Sequence, residues 1–518
     1  MNRTKSLRAR HSRLLCLLIV PVLLLSLNGC ARTAIEPDTP SATLKPVSDG
    51  YIVPVDDSML DYDAVVNLYL PSRDGQKLLA VQEALTLSHG KSNIQSVVQS
   101  LLAHPDSETV RSLGGRTTLQ LVSQQPVECS GDVCTVHLTS STRALEDNEI
   151  YTLGLSLAAT LAGTSDIRYV NVMVEDYTLP FDVAGNLPAG SFTSHAGEEL
   201  SDLWNQMASR KTPLGSDPAT VPLSTTATLF FPLADGSGFI AEARNMTIAG
   251  QTPEQLAAGL LSAMSSGSQY HSGTAAMPDI VSLMDLAPEV SELPGGGRLI
   301  TLYFGNDLDA QLRTLGIDKA AFVACLSWTL TTYIPQVGAI RISVGSAPLN
   351  EVTGPAFGKL TFQNGLIYRR QFRDGLREKV SLYMVRDTKL THMDRYASAA
   401  DAHSPKTLLT LMIEGATDEE LRSGLSPALP GGMNSTDILG VGIADGVLLL
   451  NLSPRFEQSV RRMEATVQRL CCYAMVDSLC EFLGVTRVRF YWNGEMKENL
   501  GTDFCWAGEF MLNHSITQ

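Results

Sequence analysis

The chain has 518 residues and carries 54 acidic against 39 basic side chains, a formal net charge of −15 at pH 7. Such a chain repels polyanions, and no basic stripe with interleaved aromatic residues is present, so the composition argues against nucleic acid as a partner. With 44% hydrophobic residues, the length suits about three domains of roughly 150 residues, each with its own core.

The first 29 residues have the features of a removable signal peptide. A basic start without acidic residues precedes an apolar run from Leu14 to Leu27, which is shorter than the roughly 20 residues that a spanning helix needs. The run ends in Gly29 and Cys30, and the sequence Leu27-Asn28-Gly29-Cys30 looks like the lipobox of bacterial lipoproteins. We therefore expect cleavage between Gly29 and Cys30. The alternative is an ordinary cleaved signal beside an incidental cysteine.

Cleavage at this point would leave Cys30 as the first residue, modified with diacylglycerol and palmitate. The mature chain would be held by these lipids on the extracytoplasmic face of the cell membrane. Residues 30–60 are rich in Pro, Thr and Asp, which is typical of a flexible tether.

Three similar segments follow the tether, and we call them the first, second and third repeats. A strand pattern recurs in Val66–Leu70, Ala227–Phe231 and Val380–Met384, at offsets of 161 and 153 residues. Each strand is followed by a helix start signal, as in the predicted capping boxes Ser92/Gln95 and Thr252/Gln255.

The rest of each repeat predicts a hairpin, a second helix and a closing strand. The hairpin is assigned to Leu119–Val122 with Val133–Leu138 in the first repeat, and Gly131-Asp132 supplies its turn. Its counterparts are Leu299–Phe304 and Val447–Leu452. The predicted fold class is α+β: three tandem small α/β sandwich domains, each with two helices on one face of a small sheet.

The domain boundaries follow from these patterns. From the N-terminus, we predict a signal peptide at residues 1–29 and a tether at residues 30–60. The three repeats lie at residues 61–180, 226–349 and 379–496, separated by linkers at residues 181–225 and 350–378. A C-terminal extension follows at residues 497–518. Each repeat has its own caps, hairpin and closing strand, so each is expected to fold without the others.

The repeats resemble the GerMN domain of sporulation and spore germination proteins. The resemblance rests on Leu449-Leu450-Asn451-Leu452-Ser453, on the pairs Thr160-Leu161 and Thr329-Leu330, and on Trp492-Asn493-Gly494. It implies a compact α/β module similar to ring-building modules, acting through contacts with envelope or sporulation proteins. It carries over no catalytic residue and no cofactor.

Patterns that would indicate chemistry are weak. The nine histidines show no metal-ligand spacing, so we predict no metal site, and Gly90-Lys91-Ser92 is better explained as a turn and helix cap than as a phosphate loop. Seven cysteines remain after Cys16 and Cys30, an odd number. Cys129 and Cys134 flank a hairpin turn, so a disulfide between them is sterically feasible, whereas an anaerobic host would keep them reduced.

Two classes of function remain after these exclusions. One is a non-enzymatic envelope assembly protein, favoured because linked domains suit multivalent contact. The other is a lipoprotein that binds a small solute or a wall fragment. A hydrolase lacks any nucleophile signature. The sequence leaves the partner and the oligomeric state open.

The proposed lipid anchor leads to the first testable prediction. Replacing Cys30 with serine removes the thiol that would accept the lipid, so we expect metabolic labelling with palmitate and recovery in the membrane fraction to be lost. Cys16→Ser, inside the signal peptide, is the matched control and should leave both unchanged. Undiminished labelling of Cys30→Ser would contradict the prediction.

Overall fold

The structure is a computed structural model. It describes residues 45–46, 52–57, 60–89, 93–115, 117–180 and 185–517. The predicted signal peptide, Gly29, Cys30, most of the tether and the Ser92 cap lie outside the described residues.

The first repeat contains a long antiparallel hairpin followed by a four-stranded sheet. From the N-terminal segment onward the elements are β1 (Lys45–Pro46), β2 (Ile52–Val53), β3 (Asp61–Pro71), β4 (Leu78–Ser88), α1 (Asn93–Ala103), β5 (Val127–Ser130), β6 (Val133–Leu138), α2 (Asp147–Thr164), β7 (Tyr169–Val174) and β8 (Tyr177–Thr178). The sheet order is β5-β6-β7-β8. Because α2 provides the crossover, β6 and β7 are parallel, while the outer pairs are antiparallel.

The second repeat has the same topology. Its elements, beginning with a linker helix, are α3 (Leu200–Ala208), β9 (Leu223–Pro232), β10 (Phe239–Ile248), α4 (Pro253–Ser265), β11 (Met284–Glu292), β12 (Arg298–Phe304), α5 (Leu308–Thr314), α6 (Lys319–Tyr333), β13 (Val337–Val344) and β14 (Ala347–Pro348). The sheet order is β11-β12-β13-β14, with β12 and β13 parallel. Thr252 and Gln255 form the predicted capping box of α4.

The third repeat repeats this order after a short linker hairpin. Its elements are β15 (Glu351–Gly354), β16 (Gly358–Thr361), β17 (Arg377–Arg386), β18 (Lys389–Ser398), α7 (Pro405–Glu414), α8 (Asp418–Arg422), β19 (Leu425–Ser426), β20 (Ile438–Ala444), β21 (Val447–Leu452), α9 (Pro454–Val460), α10 (Ala465–Leu483), β22 (Arg487–Trp492) and β23 (Glu509–Phe510). The sheet order is β20-β21-β22-β23, with β21 and β22 parallel. The mixed α+β class is thereby confirmed.

One strand assignment of the first repeat is wrong. The partner of β6 is β5, at Val127–Ser130, whereas the expected strand Leu119–Val122 contributes only an isolated bridge between Leu121 and Leu138. The turn Gly131-Asp132 lies where expected, with Gly131 at φ +60°. β5 pairs in register across this turn, and this places Cys129 opposite Cys134.

The long helix that connects the two parallel strands of each repeat (α2, α6 and α10) packs against both the first hairpin strand and the parallel strands of the sheet. In all three repeats a buried hydroxyl of this helix accepts a hydrogen bond from a strand amide. The donor and acceptor atoms are Tyr69 N and Thr160 Oγ1 at 2.9 Å, Phe230 N and Thr329 Oγ1 at 3.1 Å, and Tyr383 N and Ser478 Oγ at 2.9 Å. We call this contact the helix–strand clasp. It satisfies an edge amide that the hairpin partner does not reach.

The linker between the first two repeats closes the gap between their sheets. Phe192 exchanges two backbone hydrogen bonds with Val170 of β7, and Ser191 N donates to Thr226 O of β9 at 2.9 Å. One continuous hydrophobic core accordingly runs from Val66 to Leu376 through both repeats, while the third repeat has a core of its own.

Residues 52–57 pack against the third repeat, although they belong to the segment expected to be a flexible tether. Val53 is fully buried beside Leu449 and Tyr491. Asn451 Nδ2 donates to Pro54 O at 2.9 Å, and Val441 N donates to Asp56 O at 3.2 Å. The packed part of the chain therefore begins before residue 61.

The helix–strand clasp leads to the second testable prediction. Thr329→Val preserves the side-chain shape but removes the acceptor for the Phe230 amide, which would be left buried without a partner. We expect a loss of about 1–3 kcal/mol in the free energy of unfolding, measured from the urea midpoint.

Thr331→Val on the same helix is the matched control. The Thr331 hydroxyl only donates to the Ser327 carbonyl of its own helix, at 2.7 Å, so its loss should cost less than about 1 kcal/mol. Equal losses for the two variants would show that the clasp does not contribute specifically.

Candidate functional sites at the repeat boundaries

The predicted cysteine pair lies on β5 and β6. The Sγ atoms of Cys129 and Cys134 are 3.4 Å apart, and both residues are buried. The hydrogen bond between the thiols, together with burial, raises the pKa of Cys129 well above its ordinary value. A thiol held protonated in this way is a poor nucleophile. The disulfide between Cys129 and Cys134 stays a prediction.

Within the described ranges, no group of three or more His, Cys, Asp or Glu side chains is arranged to hold a metal ion. No helix there combines the length and the apolarity that crossing a bilayer requires.

A cluster of ionisable side chains, all buried except the partly exposed Arg373, lies where the first repeat meets the linker before the third, and we call it the ionic junction. It consists of Glu128 on β5, His137 on β6, and Arg369 and Arg373 from the 3-10 helix Arg369–Gly375. Arg369 Nη2 lies 2.6 Å from Glu128 Oε2, and Arg373 Nε lies 2.8 Å from Glu128 Oε1. His137 Nε2 is 2.9 Å from Glu128 Oε2. Both carboxylate oxygens are thus engaged.

Arg369 also ties this junction to the second repeat. Its guanidinium carbon lies 4.1 Å from the ring centroid of Trp328, and its Nη1 donates to Thr332 Oγ1 at 3.0 Å. Trp328 Nε1 donates in return to the Arg369 carbonyl at 3.0 Å. The side chain is almost completely buried, so its charge depends on these partners.

The electrostatics of Glu128 follow from the arrangement. Burial alone would raise the pKa of its carboxyl, but the Arg369 guanidinium and His137 hold that pKa well below its usual range. A carboxylate with a lowered pKa contributes stability above its ordinary pKa, and this contribution is lost as the pH falls below that value. The junction is therefore a charged structural joint at neutral pH.

β5 also contacts the third repeat directly. Ser130 Oγ donates to Arg377 O at 2.6 Å and accepts a hydrogen bond from Ala241 N at 2.9 Å. Residues of all three repeats therefore meet around this one strand. Sequence patterns did not identify this joint, because Glu128 and Arg369 are separated by 241 positions and neither lies in a motif.

Comparison with known protein families finds a match in the third repeat. Residues 373–498 match the Germane family, described as "Sporulation and spore germination". The third repeat is therefore similar to the domains of this family. The match confirms the resemblance to this sporulation and germination family and agrees with the α/β unit that the third repeat forms. No curated protein sequence matches the chain significantly.

The solved structures that align with this chain come from two bacteria. The tandem GerMN domains of the sporulation protein GerM from Bacillus subtilis align at 13% identity and a TM-score of 0.22, covering 57% of this chain and 100% of that one. The first GerMN domain of the same protein aligns at 16% identity and a TM-score of 0.19, covering 26% of this chain and 98% of that one. A putative lipoprotein from Clostridium perfringens aligns at 15% identity and a TM-score of 0.17, covering 27% of this chain and 91% of that one.

The ionic junction leads to the third testable prediction. Arg369→Met would leave the Glu128 carboxylate buried without its closest partner, and we expect a loss of about 3–5 kcal/mol in the free energy of unfolding. Adding Glu128→Gln should recover part of this loss. Both are read from urea unfolding midpoints.

The neighbouring Arg370 provides the control. It forms an exposed ion pair with Asp176 at 3.4 Å, so Arg370→Met should cost less than about 1 kcal/mol. If Arg369→Met were as mild as Arg370→Met, the junction would not be a structural joint.

Proposed function

We propose that this chain is an extracytoplasmic lipoprotein that acts without catalysis, through protein contacts, in the envelope of cells during sporulation or germination. The observation that carries the proposal is the match of residues 373–498 to the Germane family. The predicted signal peptide and Cys30 supply the membrane anchor in this proposal.

The way the first two repeats touch suggests where a partner binds. In the second hairpin, Thr228 is buried against the first repeat, and its Oγ1 accepts from Asn171 Nδ2 at 3.0 Å. Its cross-strand neighbour Ala243 is buried too. This face of a hairpin is thus a docking surface for the sheet of a preceding repeat.

The same face of the first hairpin is exposed. Asn67 occupies the position of Thr228 and lies opposite Gln82, and both side chains are exposed. Val65 on this face is 68% exposed, and Ala80 and Ala84 are exposed around it. We define the hairpin face as Val65, Asn67, Ala80, Gln82 and Ala84.

The proposed occupant of the hairpin face is an envelope protein that presents the sheet of a similar α/β repeat. The internal contact between the first and second repeats supports this choice, since it uses the corresponding positions of the second hairpin. Small side chains such as Ala80 and Ala84 let a partner backbone approach closely. The first repeat would then contact the partner's sheet in the same way that the second repeat contacts the sheet of the first.

Site-specific cross-linking provides the fourth testable prediction. A photoreactive amino acid at Gln82 should form an adduct with a protein partner in sporulating or germinating cells, whereas the same group at the fully exposed Leu214 should not. Adding Val65→Arg to the Gln82 probe should remove most of the adduct, because a buried unpaired charge is costly at an interface.

Two results would oppose the proposal. One is normal sporulation and germination in cells that lack the whole chain. The other is hydrolysis of peptidoglycan by the purified protein, which would replace the contact function by an enzymatic one.

A further inference from the structure

A polar cleft of about 670 Å³ lies beside the linker that joins the first two repeats. One wall is the edge of the second hairpin, with the hydroxyl and amide side chains Ser224, Thr225, Thr226, Asn245 and Thr247. The lining also includes two aromatic rings, Tyr151 and Phe192, whose centroids are 5.6 Å apart. We call this space the linker cleft.

Arg210, just after helix α3, is the cationic side chain of the lining. It is largely buried, and burial lowers the pKa of its guanidinium. Its Nη atoms contact neutral acceptors only: Thr225 Oγ1 at 3.2 Å, Pro188 O at 3.5 Å, Ala189 O at 3.4 Å and Met207 Sδ at 3.0 Å. In the described part of the chain, its buried Nε has no hydrogen-bond acceptor.

Among the described residues, no neighbouring carboxylate balances the charge of Arg210. Across the described residues, no carboxylate lies within ion-pair distance of its guanidinium, although acidic side chains outnumber basic ones in the sequence. Glu198 lies near the cleft but is bonded through Oε1 to His195 Nδ1 at 2.9 Å. A largely buried guanidinium without an internal anion favours an anion supplied from outside.

The cleft's chemistry narrows the class of ligand. One guanidinium matches a single negative charge, and its planar fork matches a carboxylate better than a multiply charged phosphate that would need further cations. A wall of hydroxyls and one amide suits the hydroxyl groups of a sugar, and aromatic rings suit the apolar face of a sugar ring. We propose that the linker cleft binds a carboxylated saccharide through Arg210. This inference goes beyond the contact function and does not depend on it.

The fifth testable prediction is a direct binding measurement with matched ligands. The full chain, purified in detergent, is titrated by calorimetry with glucuronate and glucose, and separately with N-acetylmuramic acid and N-acetylglucosamine. Each pair differs by a carboxylate-bearing group, so the two acids should bind and the two neutral sugars should not. Arg210→Gln should weaken binding by about tenfold or more, since it removes charge-assisted hydrogen bonds.

Two further variants test whether the ligand binds in the linker cleft. Arg462→Gln, at an exposed arginine of the third repeat, is the charge-matched control and should leave the affinity unchanged. Ser224 is exposed on the cleft wall, so Ser224→Trp should fill the cleft and abolish binding while the melting temperature stays close to that of the parent.

Three outcomes would overturn the inference. They are absence of binding by both acids, equal affinity for acids and neutral sugars, and unchanged binding by Ser224→Trp. If Arg210→Gln lowered the melting temperature, the Ser224→Trp variant would still decide whether the cleft is the site.

Discussion

The helix–strand clasp is the contact on which the rest of each repeat depends. A β-hairpin leaves one edge of each strand without partners, and a buried edge amide costs free energy unless an acceptor reaches it. Thr160, Thr329 and Ser478 supply that acceptor from the middle of a helix, where a hydroxyl is otherwise a neutral or unfavourable choice. The clasp fixes the hairpin against the helix, and the hairpin then presents one defined face outward.

A second polar contact, the ionic junction, sets the orientation of the repeats relative to one another. Apolar burial is non-directional, so a core shared by two repeats does not by itself select one orientation. The ionic junction adds direction, because Glu128 accepts from Arg369 and Arg373 only in one arrangement. Arg369 contacts Trp328 of the second repeat at the same time, and Ser130 two residues from Glu128 reaches the third. We infer that the ionic junction contributes to the specificity of this arrangement as well as to stability.

Local patterns predicted the repeats well and the joints between them poorly. The expected strand Val447–Leu452 coincides with β21, and the cap at Thr252 is present, because alternation and capping are local signals. Leu119–Val122 was mistaken for the strand because its leucine and valine side chains give the clearer apolar signal. The true strand, β5, is harder to recognise because the buried Glu128 interrupts its apolar pattern. Likewise, a Pro- and Asp-rich tether gave no hint that Val53 is buried, since its partners lie almost 400 residues away.

The family signature itself proves to be structural. Asn451, in the middle of Leu449-Leu450-Asn451-Leu452-Ser453, accepts from Gly494 N at 2.9 Å and donates to Pro54 O, so it holds the turn after β22 and the N-terminal segment. Thr160 and Thr329 of the other signature pairs form clasps. The residues that carry the resemblance therefore build the scaffold of this chain. Charged residues that have no ion-pair partner among the described residues, such as Arg210, are then the places where a function particular to this chain is to be sought.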